Sequence, residues 1–420
     1  VTSTPLSDAL DISGAWRESL ELDALVGDQL RDAGVANHTV DVVAIGKASR
    51  TMASACAAFF GDKLLKKLLI VDGASESSPE LDVDVVVGEH PLPGSGSVRA
   101  GARLLEFLDA PTTAQCTVFL VSGGASSLCV VPEPPMHVDD VVAIFRAALE
   151  TGINITTLNQ LRAATSAIAG GGILRHVSTQ RSIALIMVDN VVSGAAWVAS
   201  ALTYEYQPER SDVTALLEAI NRATLPLATT VYESFERRRV AMQRPVTTAH
   251  ENRVVAQPSM VLDITRQRAQ QHGYRVVSLG SEIHGDVNDV ADQWADVISR
   301  ELSKGDRLCV VGVGEVTVRV SGSGKGGRCQ AIAWAMAKVL ERTTRDGVFV
   351  ARATDGRDFV QGVGGAWVDT STIARAASLG IDWAAIAVEN DTFRGLSALG
   401  QVIEGSGTGW NLCDLYVAIL

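Results

Sequence analysis

Val40-Asp41-Val42-Val43-Ala44-Ile45-Gly46-Lys47-Ala48-Ser49 is the stretch that decides the fold. A largely β-branched run of strand length closes on a glycine, and small residues at helical spacing follow to about Phe60. A continuous apolar run without alternation reads as a strand buried on both faces, the habit of parallel sheets covered by helices. The unit recurs outward: residues 68–71, 83–87, 117–121 and 183–187 are apolar runs, and residues 97–108 carry apolar positions at helical spacing. The expected fold is α/β, opening with a large N-terminal Rossmann-like three-layer domain over residues 1–245.

Residues 212–243 read as helical, with Glu233, Glu236 and Arg237-Arg238-Arg239 as a solvated face. Residues 245–257 read as a crossing between lobes, within a stretch of linker and connecting elements over 246–306. Further runs at 275–279, 308–313, 316–320 and 347–351 alternate with helices near 287–302 and 329–340, and residues 412–420 read as a final buried strand. These imply a smaller C-terminal α/β domain over 307–420.

Composition narrows the function. The 420 residues are 47% hydrophobic and 20% charged, with 36 Lys and Arg against 48 Asp and Glu and a formal net charge of −12. Mean hydropathy is +0.18. Such a chain folds, and its acidity repels phosphate backbones and anionic lipid at long range, so neither nucleic acid nor membrane is an expected partner. No apolar run approaches the ~18 residues of a span, and Val1-Thr2-Ser3-Thr4-Pro5-Leu6 lacks the pattern of a secretion signal. The six cysteines are scattered with no Cys-x-x-Cys, which reads as buried free thiols in a reducing compartment. A cytoplasmic protein acting on a small molecule is expected.

Ligands of open α/β sheets sit beyond the carboxyl ends of strands, and five such places carry chemistry. Lys47, one of seven lysines against 29 arginines, stands between a strand and a helix start, where an anion is favoured. Ser122-Gly123-Gly124-Ala125-Ser126-Ser127 lets backbone amides approach an oxyanion or lets serine cap a helix. Asp189, with Asn190, suits a metal ion, a hydroxyl proton or a helix cap. Ser321-Gly322-Ser323-Gly324-Lys325-Gly326-Gly327-Arg328 departs from the P-loop spacing but suits a phosphate or carboxylate. Asp355 and Asp358, three apart in a glycine-containing turn, suit Mg²⁺ or a plain Asx turn. His90, at a strand end, is the one histidine of interest. No Gly-x-Ser-x-Gly elbow supports a serine hydrolase, and no Gly-x-Gly-x-x-Gly follows the first strand as a nicotinamide site needs.

Taken in order, these motifs resemble the ATP-dependent glycerate 2-kinase family, the second type of glycerate kinase, some members of which carry a hydroxypyruvate reductase label. The resemblance rests on Gly46-Lys47-Ala48, His90-Pro91-Leu92-Pro93, Ser122-Gly123-Gly124 with Ser126 and Leu128, Thr151-Gly152 with Asn159 and Arg162, and Gly314-Glu315. It continues through Gly326-Gly327-Arg328 with Gln330, Thr354-Asp355-Gly356-Arg357-Asp358, and Gly407-Thr408-Gly409 with Asn411 and Asp414. The resemblance implies a C-terminal MOFRL-type domain, an active site in the cleft between two domains, a homodimer, and Mg·ATP as phosphoryl donor to a hydroxyl of D-glycerate.

For site residues it implies Lys47 and Arg328 as catalytic cations, while chemistry and position make Asp189 the candidate Mg²⁺ ligand or hydroxyl base and Arg162 the candidate for the substrate carboxylate. Ser122, Gly123, Gly124, Ser126, Asn159 and Arg162 would bind substrate. Gly322, Gly324, Lys325, Gly326 and Gly327 would hold nucleotide phosphate, and Asp355 and Asp358 would join Asp189 as metal ligands.

The sequence departs from the family where polar groups are usual. Arg162-Ala163-Ala164 and Ala169-Gly170-Gly171-Gly172 lack at least three basic side chains, and Arg328-Cys329-Gln330-Ala331 lacks an amide and a carboxylate. Val188-Asp189-Asn190-Val191-Val192-Ser193, Ser200-Ala201-Leu202-Thr203 and Gln361-Gly362-Val363-Gly364 also differ. Each charge-assisted hydrogen bond lost costs ~1.5–3 kcal/mol. The expectation is a kinase for D-glycerate or a less anionic analogue; the alternative is a lyase, a transferase or a binding protein on the same fold.

Overall fold

The computed structural model describes residues 4–73, 84–151, 155–189, 194–220, 227–305 and 307–420. Val83, Gly152, Asn190, Val191, Val192 and Ser193, named above, lie outside the described residues. The chain divides into two units, one of Leu22–Asp189 with 194–256, the other of residues 4–21 with Gln257–Leu420.

In the first unit the expected strands form. β1 (Val40–Ile45), β2 (Leu64–Asp72), β3 (Asp84–Gly88), β4 (Cys116–Val121), β5 (Arg181–Met187) and β6 (Ala249–Ala256) make a sheet in the order β3-β2-β1-β4-β5-β6. Every pairing is parallel. β1 and β4 are buried along their whole length, which is why their sequences show no alternation. Ile45, Ile70, Phe119 and Ile186 point into one apolar layer with Leu104 and Phe107 of the helix Ser95–Asp109. The strand order reverses between β1 and β4, so the crevice of this Rossmann-like sheet lies beyond those two ends.

β6 corrects one expectation, since residues 245–257 hold a strand of this sheet rather than a crossing. Its first six residues are only partly buried or exposed, as suits an edge strand, and its polar start hid it. The charged run near residue 238 is corrected too. Arg238 is 2% exposed, and its guanidinium donates to the carbonyls of Ser166, Ala169, Gly170 and Tyr206 at 3.0–3.3 Å. Arg237 and Arg239 do face solvent.

The second unit holds β7 (Arg275–Ser278), β8 (Ile283–Asp286), β9 (Leu308–Thr317), β10 (Val348–Ala353), β11 (Val363–Asp369), β12 (Val402–Glu404) and β13 (Asp414–Ile419). The sheet order is β12-β11-β10-β13-β9-β7, with β8 also on β9. The pairs of β9 with β7 and β8 are parallel and the other pairs antiparallel. Residues 308–313 and 316–320 are not two strands: β9 runs unbroken to Thr317, and residues 318–327 follow as a loop. Gly314, in the gap left between those two runs, serves close approach, since a Cβ there would lie 2.0 Å from the carbonyl oxygen of Ile283.

Trp294, Phe349 and Tyr416 pack together in the core of this unit. The helix Pro5–Ser19 packs on the helix Pro258–Gln271 and on β10 and β13. Its buried Asp8 accepts from Tyr274 and Arg307, and its Asp11 accepts from both Nε and Nη2 of Arg268. All six cysteines are buried and none is in a disulfide. No helix of the described residues is long and apolar enough to cross a membrane.

Candidate active site

Lys47 stands where the sheet order reverses. Its amide donates to the Gly123 carbonyl (2.9 Å), the Ala48 amide donates to Ser122 Oγ (3.0 Å), and the Ser122 amide donates to the Ile45 carbonyl (3.0 Å). These bonds tie the end of β1 to the turn after β4. Gly46 is required there, because at φ +123° a Cβ would come 2.3 Å from Ser122 Oγ. Gly124, at φ +83°, leaves room for two side chains: a Cβ on it would meet the His90 ring at 3.2 Å and Lys47 Cγ at 3.4 Å. Lys47 and His90 therefore converge over one glycine.

Beside this turn runs a second network. Ser126 Oγ and Ser200 Oγ are 2.8 Å apart, Ser200 donates to Asn159 Oδ1 (3.0 Å), and Arg162 Nη1 donates to the same oxygen (3.2 Å). Ser200 sits between Ala199 and Ala201, all three at φ of 54–58°, a left-handed turn that L residues rarely adopt. The sequence offered Ser126, Asn159 and Arg162 as site residues but Ser200 only within a stretch that departs from the family, because its backbone conformation carries no compositional signal. Arg162 lies over the Phe145 ring at 3.9 Å, and burial pulls its guanidinium down to about 9. Asp189, two residues past β5, is half-buried.

In the second unit Arg328 opens the helix Arg328–Glu341. Its Nε lies 3.2 Å from Asp414 Oδ2 and its Nη2 3.0 Å from Glu315 Oε1, while its side chain stays 43% exposed. The Asp414 carboxyl is pushed up to about 7, chiefly by burial; Arg328 opposes the shift, and the charges of Glu315, Asp358 and Asp355 add to it. Asp414 and Glu315, which hold this arginine, were marked by the sequence as motif but not as site.

Asp358 and the glycine-rich loop have structural work. Asp358 accepts from the Cys329 and Gln330 amides and from Gln330 Nε2 at 2.9–3.0 Å, so it closes the start of the helix where an external anion was expected. A Cβ on Gly327 would lie 2.0 Å from Asp358 Oδ1. The Ser321 and Gly322 amides donate to Asn390 Oδ1, the Gly324 amide to the Glu389 carbonyl, and the Lys325 amide to Asp391 Oδ1. Cβ atoms on Gly322, Gly324 and Gly326 would collide with Glu389, Asp391 and Thr392. The glycines thus answer a packing need, which composition alone does not separate from a phosphate loop.

Asp355 is half-buried and accepts from the Arg357 amide (2.9 Å), an Asx turn. Among the described residues no group of three or more His, Cys, Asp or Glu side chains is placed to hold a metal ion.

A Rossmann-like sheet with a lysine at its switch point, followed by a second sheet with a carboxylate-held arginine, defines an α/β protein of two modules. Residues 9–235 match the family described as "Domain of unknown function (DUF4147)", and residues 308–414 match the MOFRL family. The first match covers more than half of the chain, which therefore belongs to the DUF4147 family, and with its MOFRL module and its relatives it is a glycerate 2-kinase family member. It is 25% identical to the D-glycerate 2-kinase of Thermotoga maritima, over 91% of this chain and 90% of that one. It is 26% identical to the human glycerate kinase, over 90% of this chain and 84% of that one. A putative hydroxypyruvate reductase of Agrobacterium vitis is 27% identical, over 90% and 86%. The crystal structure of the glycerate kinase from Thermotoga maritima superposes with a TM-score of 0.83 at 24% identity over 98% of both chains. A Pyrococcus horikoshii protein gives 0.75 at 21% identity, over 100% of this chain and 99% of that one. These two likenesses establish the fold.

Proposed function

We propose that the protein transfers the terminal phosphoryl group of ATP to a hydroxyl of a small hydroxy acid, D-glycerate or a less anionic analogue. The observation that carries this reading is Lys47 tied to the Ser122–Gly124 turn at the switch point of the first sheet. Phosphoryl transfer asks a protein chiefly for positioning and charge neutralisation. Lys47, anchored through its backbone amide, supplies an ammonium for oxygens that gain charge as the phosphoryl group moves. Arg328 supplies a guanidinium whose direction Asp414 and Glu315 set, with its exposed portion left for phosphate.

Asp189 is the candidate to accept the acceptor hydroxyl's proton. Ser122, Gly123, Gly124, Ser126, Asn159 and Arg162 bind the acid. Within the glycine-rich loop, the Lys325 ammonium is the group we assign to phosphate, because four of the loop's amides are engaged with residues 389–391.

The donor set fits a cation carried on the nucleotide rather than one caged by protein, since Mg²⁺ is commonly held by one or two carboxylates plus phosphates. Asp355 or Asp189 would hold it, and it would neutralise charge on the phosphates; Asp358, with its oxygens engaged, is set aside as a ligand. Family likeness also makes a cytoplasmic homodimer the working form in this reading.

Calorimetric titration with Mg·ATP tests it. Saturable binding in the micromolar range, weakened at least tenfold in Arg328→Ala, is expected. Absence of heat at millimolar nucleotide would move the fold to chemistry without ATP.

A further inference from the structure

The second unit carries an open groove of about 750 Å³ along the helices Val287–Leu302 and Arg328–Glu341. Its apolar lining includes Ala295, Ala331, Ala335 and Val339, all only partly buried. Trp334 and Trp383, stacked with ring centroids 3.5 Å apart, line it as well. So do Arg319 and Ala387, whose chain neighbours Val320 and Val388 are 75% and 63% exposed. The bond from Ser321 Oγ to the Val388 carbonyl (2.8 Å) brings those two valines into one patch. Contiguous exposed apolar surface beside a groove marks a contact surface.

The two helices bring opposite charge to this groove. The first contributes Asp292 and Asp296 and no cation; the second contributes Lys338 and, one residue past its end, Arg342, and no carboxylate. All four side chains are exposed, and none is in an ion pair with a described residue. The opposite charges therefore do not meet across the groove, and each set is left for a group that enters from outside.

The helices also run the same way. The first joins β8 to β9, which are parallel, and the second joins β9 to β10, which are parallel through their shared antiparallel neighbour β13. A two-fold axis lying along the groove then sets the acidic helix of one copy against the basic helix of the other, on both sides at once. A two-fold axis lying across the helices would set acid on acid and base on base, which is repelled. The surface is thus self-complementary in one arrangement only.

We propose that this groove is the contact between two copies of the chain, related by a two-fold axis along it. Asp292 and Asp296 of each copy face Lys338 and Arg342 of the other, and the alanine lining and the Val320–Val388 patch are covered around them. The longer helix has 16 residues, roughly 24 Å, and a packed pair is about 20 Å across, so the face offers ~500 Å² per copy, near the ~1,000 Å² total that a specific interface needs. A reversible, salt-sensitive dimer follows from that size and those exposed charges. The inference rests on the homodimer of the proposed function, to which it gives a surface, and not on phosphoryl transfer.

Sedimentation equilibrium on the full chain across the micromolar range tests it. The wild type is expected to associate reversibly to a dimer that weakens as salt is raised. Asp292→Lys with Asp296→Lys makes both helices basic along the groove, and Lys338→Glu with Arg342→Glu makes both acidic. Each double variant should weaken self-association at least tenfold, and an equal mixture of the two should form a heterodimer as tight as the wild-type dimer. Recovery on mixing is a result that a folding defect would not give. A wild type that stays monomeric throughout the range leaves the groove to another partner and overturns this contact together with the homodimer. A wild-type dimer that both double variants leave unchanged overturns the contact and keeps the homodimer on a different surface. Weakened variants that fail to recombine also overturn it. Association as expected with no turnover of any hydroxy acid would instead overturn the kinase reading and leave the contact standing.

Discussion

Arg328 is held by two carboxylates at once, Asp414 Oδ2 at 3.2 Å and Glu315 Oε1 at 3.0 Å, with Asp414 fully inside the protein and Glu315 about one third exposed. One arginine thus faces more negative charge than it balances, and the buried partner takes up a proton more readily than an ordinary aspartate, its carboxyl raised to about 7.

This makes stability depend on pH in a definite sense. Between about pH 4 and 7 the folded protein holds a proton on Asp414 that the unfolded chain has lost. The associated stability is full below the unfolded value near 3.8 and is lost as pH rises through about 7. Asp414→Asn should remove a slope of up to about 1.4 kcal/mol per pH unit over that window. Urea unfolding of both proteins at pH 4.5, 5.5, 6.5 and 8 measures it, and parallel pH dependences would contradict the assignment.

Gly46→Ala should be severe. The added carbon meets Ser122 Oγ at 2.3 Å and the Ser122 carbonyl oxygen at 2.5 Å, at a φ that alanine resists. A loss of roughly 2–4 kcal/mol is expected, with turnover reduced more than tenfold because the bond from Lys47 to Gly123 must shift. Urea denaturation and steady-state rates read the two effects, and a variant with wild-type midpoint and rate would show that the close approach is not needed.

Two neighbours in one charged run should behave oppositely. Arg238→Met removes a donor from four carbonyls, of which those of Ala169 and Gly170 keep a backbone partner, and should cost about 3 kcal/mol or more. Arg239→Met, at a solvent-facing position, should stay within about 0.5 kcal/mol of wild type. Equal midpoints for the two variants in urea would contradict this division.

What was legible in the sequence follows from locality. β1 and β4 declared themselves as continuous apolar runs ending in glycine-bearing turns, so Lys47 and Ser122 were placed at strand ends correctly. That the two ends are neighbours across a reversal of strand order is a non-local fact. β6 begins with Ala249-His250-Glu251-Asn252-Arg253, polar enough for an edge strand and therefore indistinguishable from a loop. Arg238 looked like its solvated neighbours because its four acceptors are backbone carbonyls, which leave no trace in composition. The glycines of the 321–327 loop read in the sequence as a phosphate or carboxylate site, with no sign of a packing need. What approaches four of them is the chain itself, through Glu389, Asp391, Thr392 and Asp358. Likewise the pairing of the helix Pro5–Ser19 with the helix Pro258–Gln271 joins segments about 250 residues apart, beyond any periodicity.

The most direct test of the central claim is acceptor-dependent ADP release, measured with Mg·ATP and a panel of small hydroxy acids for the wild type, Lys47→Ala and Arg328→Ala. The account predicts release that requires a hydroxy acid, and a fall of about 100-fold in each variant, equivalent to about 2.7 kcal/mol of transition-state stabilisation, with circular dichroism unchanged. Release within threefold of wild type in both folded variants, or none from the wild type with any acid, would contradict it.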